Sequence, residues 1–394
     1  MFATLRKPAF LKLYAIPLVS NTTASMTWAI AVIYALDLGA NILQVNLITT
    51  IWSTMGIILL LPFGIISDRF GRRPMLLYPR ILMFLGTLIR AFATEPNHLL
   101  LAAFVGGFAG GGFFPVLLSM VGDIAKPEER QESIGILYLF SSIGMLIGPV
   151  VCSILLTLPQ VTLRNIYQID SVAQAGAILY IVTQIRETMP KRIKSEKVKY
   201  RAYIVDIVRQ ANFRRLLVMG FLFFFYNSIM NTYIPIYARV DLDLSDAEIA
   251  SLATYRSLAI MLIRFSVTTF FARAPIRLFL LSALTLGGIT GLATPFANNY
   301  LSIVLIFFFS GLSFGATMIL GSTLVAADST PRNRGVANSL YNAAQSAGNI
   351  TKILTSPIAD NLGLGIVFLL GGVTTLIANI PVLLRESNRT KRHS

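Results

Sequence analysis

The chain has 394 residues, 55% of them hydrophobic and 13% charged, with a mean hydropathy of +0.69. Soluble domains carry about 25% charged residues, so a chain this long and this apolar cannot cover a water-facing surface. That excludes soluble globular, disordered and nucleic-acid-binding classes. The formal net charge of +15 then reads as basic loops on the cytoplasmic side of a membrane. A single cysteine, Cys152, allows no intrachain disulfide, and two histidines, His98 and His393, form no metal cluster. No metal and no cofactor are expected.

A spanning helix needs roughly 20 apolar residues. The pattern predicts twelve spans, at 10–36, 42–66, 75–94, 97–121, 133–157, 164–185, 213–237, 247–271, 275–294, 299–325, 335–358 and 363–384. The first is too long for a signal peptide and is read as a span. The sixth is the weakest, interrupted by Arg164, Gln168, Asp170, Gln174 and Gln184. With this count the proposed cytoplasmic segments hold 26 Lys and Arg, and the outer ones hold two, Arg164 and Arg239. The asymmetry predicts both termini inside and an even number of spans.

The largest polar interruption, from Arg186 to Arg215, carries ten basic and three acidic residues. It is expected to lie on anionic headgroups, with a short interfacial helix around Tyr203, Ile204, Ile207 and Val208. The expected division is a six-helix bundle over 1–187, a basic linker over 188–212 and a second six-helix bundle with a short tail over 213–394. The halves resemble each other. Aligning Arg130 with Arg334 places Ser142 over Ser346, Gly144 over Gly348 and Gly148 over Lys352, an offset of 204. Internal repeats of this kind mark transporters built from related bundles.

Between spans two and three stands Gly64-Ile-Ile-Ser-Asp68-Arg69-Phe-Gly71-Arg72-Arg73-Pro74. Gly71 suits the tight turn of a very short loop, and Asp68 can face a helix N-terminus. This stretch resembles the signature loop of the major facilitator superfamily. The resemblance implies an all-α integral membrane fold with two six-helix bundles. It also implies a gating role for Gly64, Asp68, Arg69, Gly71, Arg72 and Arg73, with Asp123 as the acid at the end of span four and the region from Arg334 as the partner of Asp68. In span five, Gly144-Met-Leu-Ile-Gly148-Pro149 resembles an element frequent in antiporters of that superfamily. As chemistry alone, small residues four apart permit close helix approach, and Pro149 bends the helix. Two features depart from the pattern. Ala103 and its neighbours stand where drug antiporters often carry an Arg, and Phe271-Ala-Arg273-Ala-Pro275 lacks the Gly and Asp of a second signature loop.

Ionisable residues inside spans are costly and are functional candidates by default. Asp170 is the acid clearly within a span and is the proton-coupling candidate. Asp37 and Asp360 fall near outer ends. Among the bases, Arg80 and Arg90 are read as snorkelling from span ends, Arg256 as less than halfway in, and Arg264 and Lys352 as the deepest. The resemblance makes spans one, four, seven and ten the cavity lining, with contributions from two, five, eight and eleven. The cavity candidates are Asn21, Trp28, Asn227, Asn231, Arg264, Asn342, Gln345, Asn349 and Lys352. With Asn338, the last four make one polar stripe on a helix face, which cannot face lipid.

The expectation is a secondary transporter for a small organic solute, working by alternating access. No Gly-x-x-x-x-Gly-Lys-Ser/Thr phosphate loop is present, so an ion or solute gradient would supply the energy. The span-five element tilts the reading toward proton-coupled efflux. The surplus of buried base over acid supports the alternative of an anionic solute carried by exchange or uniport. A non-transporting receptor or scaffold on the same fold is the alternative of another class, and an enzyme is not expected. Expected partners are the solute, a proton and the lipid bilayer of the cell membrane, with no nucleic acid and the monomer as the working unit.

Overall fold

In a bilayer every backbone N–H and C=O must be satisfied within the segment, and the chain meets this with helices. The computed structural model describes residues 3–110, 113–188, 200–269, 275–330 and 333–384. No strand occurs among them. The helices are α1 (Pro8–Asp37), α2 (Ile42–Phe70), α3 (Arg72–Ala91), α4 (Pro96–Gly110), α5 (Phe113–Ile124), α6 (Arg130–Leu156), α7 (Leu163–Gln184), α8 (Tyr200–Arg209), α9 (Ala211–Val240), α10 (Asp246–Thr269), α11 (Ile276–Ala293), α12 (Tyr300–Ala327), α13 (Arg334–Thr351), α14 (Ser356–Leu362), α15 (Leu364–Ile377) and α16 (Asn379–Leu383).

Each predicted span coincides with one helix or with two in succession: α4 and α5 occupy span four, α13 and α14 span eleven, α15 and α16 span twelve. Among the described residues, nine helical stretches are long and apolar enough to cross a membrane. The weak sixth span is nonetheless a continuous helix, α7, because its polar residues Asp170 and Gln174 are buried on one face. The short helix expected in the linker is α8, with Ile207 buried and Ile204 exposed. The decayed loop at Phe271–Arg273 and the tail from Arg385 lie outside the described residues.

Two compact units result. The first comprises Met1–Ser195 with Ala238–Thr254, the second Glu196–Tyr237 with Tyr255–Ser394. In the first unit α1 packs on α6 and α7, and α3 packs on α4 and α7. Its core gathers Phe10, Leu13 and Tyr14 of α1, Leu76 of α3, Leu117 and Met120 of α5 and Leu137 of α6. In the second unit α11 packs on α12 and α15. Lipid tails are as apolar as Leu, so tight packing of small residues carries helix contact here. A Cβ on Gly291 would fall 2.6 Å from Gly372 Cα.

Candidate functional site

The turn between α2 and α3 is made by Gly71, whose φ of +103° is a backbone region that side chains disfavour. A Cβ there would also lie 2.6 Å from Glu187 Oε2. Glu187 explains the crowding. Its two carboxylate oxygens accept the backbone N–H of Arg72 at 2.9 Å and of Arg73 at 3.0 Å. A carboxylate therefore sits on the first turn of α3, satisfying orphan donors and facing the positive end of the helix dipole. Arg72 Nε pairs with Asp123 Oδ2 at 3.3 Å, and Thr188 Oγ1 donates to the same oxygen at 3.4 Å. Arg73 Nη2 donates to Val182 O at 2.5 Å. The start of α3 and the ends of α5 and α7 thus meet in one charged cluster. Gly64, Asp68 and Arg69 lie on α2, but their side chains, like that of Arg334, are outside the described ones.

Deeper in the first unit is a polar network that the sequence reading divides wrongly. It has Arg80 snorkelling from a span end, yet Arg80 is 1% exposed. Its guanidinium lies 3.9 Å from the Phe113 ring centroid, and Nη1 donates to Gln174 Oε1 at 2.7 Å. Gln174 Nε2 donates to Asp170 Oδ1 at 3.1 Å, and Thr87 Oγ1 donates to Asp170 Oδ2 at 3.3 Å. One amide therefore links a buried base to a buried acid. Gln174 and Asp170 are four residues apart on α7, so both face α3. Arg90 lies 5.1 Å from the Trp52 ring centroid.

The second unit is built differently. Its buried charged side chains, among the described residues, are Arg256 and Lys352. Arg256 Nη2 donates to Asn227 Oδ1 at 2.5 Å and Nη1 to Ser310 Oγ at 3.3 Å. The guanidinium also lies 4.7 Å from the Phe307 ring and 5.5 Å from the Phe314 ring. Lys352 Nζ donates to Thr232 Oγ1 at 2.7 Å. The sequence reading names Arg264 with Lys352 as the deepest bases; the structure leaves Arg264 half-buried and buries Arg256 instead.

Lys352 begins a 3-10 segment, Lys352–Thr355, that separates α13 from α14. Thr355 Oγ1 donates to Lys352 O at 2.6 Å and lies 2.7 Å from the Tyr233 hydroxyl. The polar stripe on α13 is graded. Asn338 and Asn342 are exposed, Asn349 is half-buried, and Gln345 and Lys352 are buried. On α9, Asn231 Nδ2 donates to Asn227 O at 2.8 Å, while its buried Oδ1 accepts nothing among the described residues. On α1, Asn21 Nδ2 is taken up by Ser141 Oγ at 2.5 Å, and Trp28 is 53% exposed.

The span-five glycines are contact points. A Cβ on Gly144 would lie 2.5 Å from Leu18 O, and one on Gly148 would overlap Ser25 Oγ and Thr22 O of α1. Pro149 follows inside α6. The second unit repeats the arrangement: a Cβ on Gly348 of α13 would overlap Phe221 O of α9 and lie 3.0 Å from Phe225 N.

Comparison with known proteins gives a consistent family. The profile of the Major Facilitator Superfamily matches residues 13–351 and 216–394. The bacillibactin exporter of Bacillus subtilis is 29% identical over 150 residues, 36% of this chain and 37% of the exporter. The multidrug resistance protein MdtH of Photorhabdus laumondii is 32% identical over 122 residues, 31% of this chain and 28% of that protein. The matched stretch thus spans between about a quarter and two fifths of the length of these curated relatives, 37% of one and 28% of the other. The crystal structure of the nucleoside transporter NupG superposes with a TM-score of 0.81 at 12% identity, over 96% of this chain and all of that one. At that identity the likeness is one of fold.

Proposed function

The chain belongs to the major facilitator superfamily of membrane transporters, and from that premise we propose that it exports a small organic solute by alternating access between its two six-helix halves, with Asp170 carrying a coupled proton. The observation that carries the proposal is the buried chain Arg80–Gln174–Asp170–Thr87. Ionised, Asp170 accepts from Gln174 and Thr87 and offsets the charge of Arg80. Protonated, it loses acceptor capacity and leaves Arg80 uncompensated. Proton occupancy therefore changes how α7 holds α3, and a ligand that prefers one arrangement shifts the equilibrium between them. Efflux as the direction draws support from the exporter and multidrug relatives.

In this reading the chain is multi-pass in the cell membrane, with both termini and 186–215 in the cytoplasm, and works as a monomer. The signature loop, through Asp68, holds the inner side closed in the outward-facing state, and the Arg72–Asp123 pair keeps its turn in place. The test is solute flux in proteoliposomes with ethidium and a panel of fluorescent organic solutes, with and without an imposed pH gradient. A gradient should accelerate transport by wild type, while Asp170→Asn should exchange solute without responding to the gradient. A full gradient response in Asp170→Asn would rule out this carboxyl.

A further inference from the structure

Given the transporter reading on which it rests, we infer that Lys352 is the charge-reading group of the solute site and that the solute carries a carboxylate or comparable anionic group. The first ground is the contrast between the units. In the first, Arg80 reaches Asp170 through one amide. In the second, Lys352 is 3% exposed, donates to the neutral Thr232 hydroxyl, and pairs with no carboxylate among the described residues. An ammonium at a helix centre costs roughly 2.5–3.5 kcal/mol on insertion scales, and one hydroxyl does not offset that.

The second ground separates Lys352 from Arg256. The guanidinium of Arg256 has two hydrogen-bond acceptors and two aromatic faces, a set that accommodates a cation at depth. Lys352 has no ring within cation–π reach among the described residues. Arg256 is therefore a packed structural cation, and Lys352 is the one left with donors to offer.

The third ground is access. The polar stripe runs from exposed Asn338 and Asn342 past buried Gln345 and half-buried Asn349 to buried Lys352, a path of roughly 20 Å at 1.5 Å per residue. An exposed Asn at membrane depth faces water rather than lipid, so the stripe leads from an aqueous face to the ammonium. Past Asn349 the winding tightens from α to 3-10 at Lys352–Thr355, a local change that often marks a functional hinge. Thr232 Oγ1 accepts from the ammonium and keeps its own O–H to donate to a remaining oxygen of an anion, while Thr355 donates to the Lys352 carbonyl and Tyr233 to Thr355.

The decisive experiment compares matched pairs of organic carboxylates and their carboxamides, salicylate with salicylamide among them. Binding is read by thermal stabilisation of the purified full-length protein and transport by counterflow in proteoliposomes. Carboxylates that stabilise wild type should do so without their amide twins. Lys352→Gln should weaken them at least about tenfold, the equivalent of one lost charge-assisted hydrogen bond, and Lys352→Arg should retain part of the affinity. Lys352→Gln should also raise the melting temperature of the ligand-free protein, since it removes an uncompensated buried charge; a purely structural lysine would lower it. Stabilisation and flux by neutral or cationic members, equal in wild type and Lys352→Gln, would overturn the inference while leaving transport standing. No flux of any solute would overturn the transporter reading and this one with it.

Discussion

Lys352 and Gly148 hold the same position in the two halves of the chain, 204 residues apart, yet one is a buried cation and the other is a point of helix contact. One turn earlier the halves agree: Gly144 packs on the backbone at Leu18 and Gly348 on the backbone at Phe221. The facing residues are offset by 203, so the repeat extends to the α1–α6 and α9–α13 pairs as packed helices. At the next turn they diverge. Gly148 keeps α1 against α6, whereas Lys352 enters a 3-10 segment and reaches Thr232. A side chain that the shared packing does not require, and that departs from its own repeat, is under a different constraint.

The packing half of that comparison predicts a stability difference. Gly148→Ala would put a Cβ onto Ser25 Oγ and Thr22 O, while Gly176→Ala on α7 meets nothing within 4 Å. The first should lower the melting temperature of detergent-purified protein, at a cost of about 1–3 kcal/mol typical of overpacking. The second should leave it unchanged or slightly raised, since Ala is the better helix former. Equal melting temperatures for both would mean that α1 and α6 do not approach this closely.

The fold was legible because bilayer thickness and loop charge act on residues near in sequence: span limits and helix ends agree within a few residues at most positions. The signature loop was legible for the same reason, and its Arg72 does pair with Asp123. Partners distant in sequence were not. Glu187, one of the three acids of the polar interruption from Arg186 to Arg215, caps α3 from 115 residues away. Distance from a span end points Arg80 to water, but the face it occupies on α3, set by helix phase, turns it to Gln174. Depth alone ranks Arg256 below Arg264, although the acceptors and rings that hold it come from α9 and α12.

The Arg80–Gln174–Asp170 chain predicts non-additivity. Asp170→Asn leaves Arg80 without a counter-charge, and Arg80→Met takes from Asp170 the base that Gln174 links to it; each should destabilise. The double variant removes both charges together and should be more stable than the sum of the singles implies. A coupling of about 1–3 kcal/mol is expected for residues of one network, read from urea or thermal melts of the four proteins in the same detergent. Additive effects would show that the two charges do not sense each other through the amide.

Glu187 predicts a capping effect with a specific partner. Glu187→Ala removes the acceptor for two backbone donors of α3 and should cost about 0.5–2 kcal/mol, the range for lost N-caps. Glu187→Gln, which keeps one carbonyl acceptor, should cost less. Gly71→Ala should be damaging in both backgrounds, because its φ of +103° remains unfavourable without the carboxylate. If Glu187→Ala melted like wild type, the α3 terminus would be held by other groups.

The loop charges predict topology. Cys152 is buried, so single cysteines can be added without removing it. Cysteines at 95–98, 239–246 and 298–300 should react with an impermeant thiol reagent in intact cells, and those at 190–200 only after permeabilisation. This follows from 26 Lys and Arg in one set of segments against two in the other. Labelling at 190–200 in sealed cells would invert the orientation.

The Arg72–Asp123 pair separates two roles within the signature loop. Both residues belong to the first compact unit, so their 3.3 Å contact ties α3 to α5 inside that unit. Only contacts that differ between states bias the equilibrium between them; a pair inside one unit acts by holding the α2–α3 turn in place. The pair is mostly covered, its side chains 17% and 16% exposed, so Arg72→Asp or Asp123→Arg alone sets like charges together and should lower the folded yield as well as slow turnover. Exchanging the two charges in one protein restores the attraction and should restore most of the flux. Asp68→Asn should behave otherwise: if Asp68 contacts a partner in one state only, turnover falls with little loss of folded protein, and the 72/123 exchange does not rescue it. Wild-type flux in Asp68→Asn would reduce the loop to a topological anchor, and failure of the exchange to restore flux would show that Arg72 and Asp123 act separately.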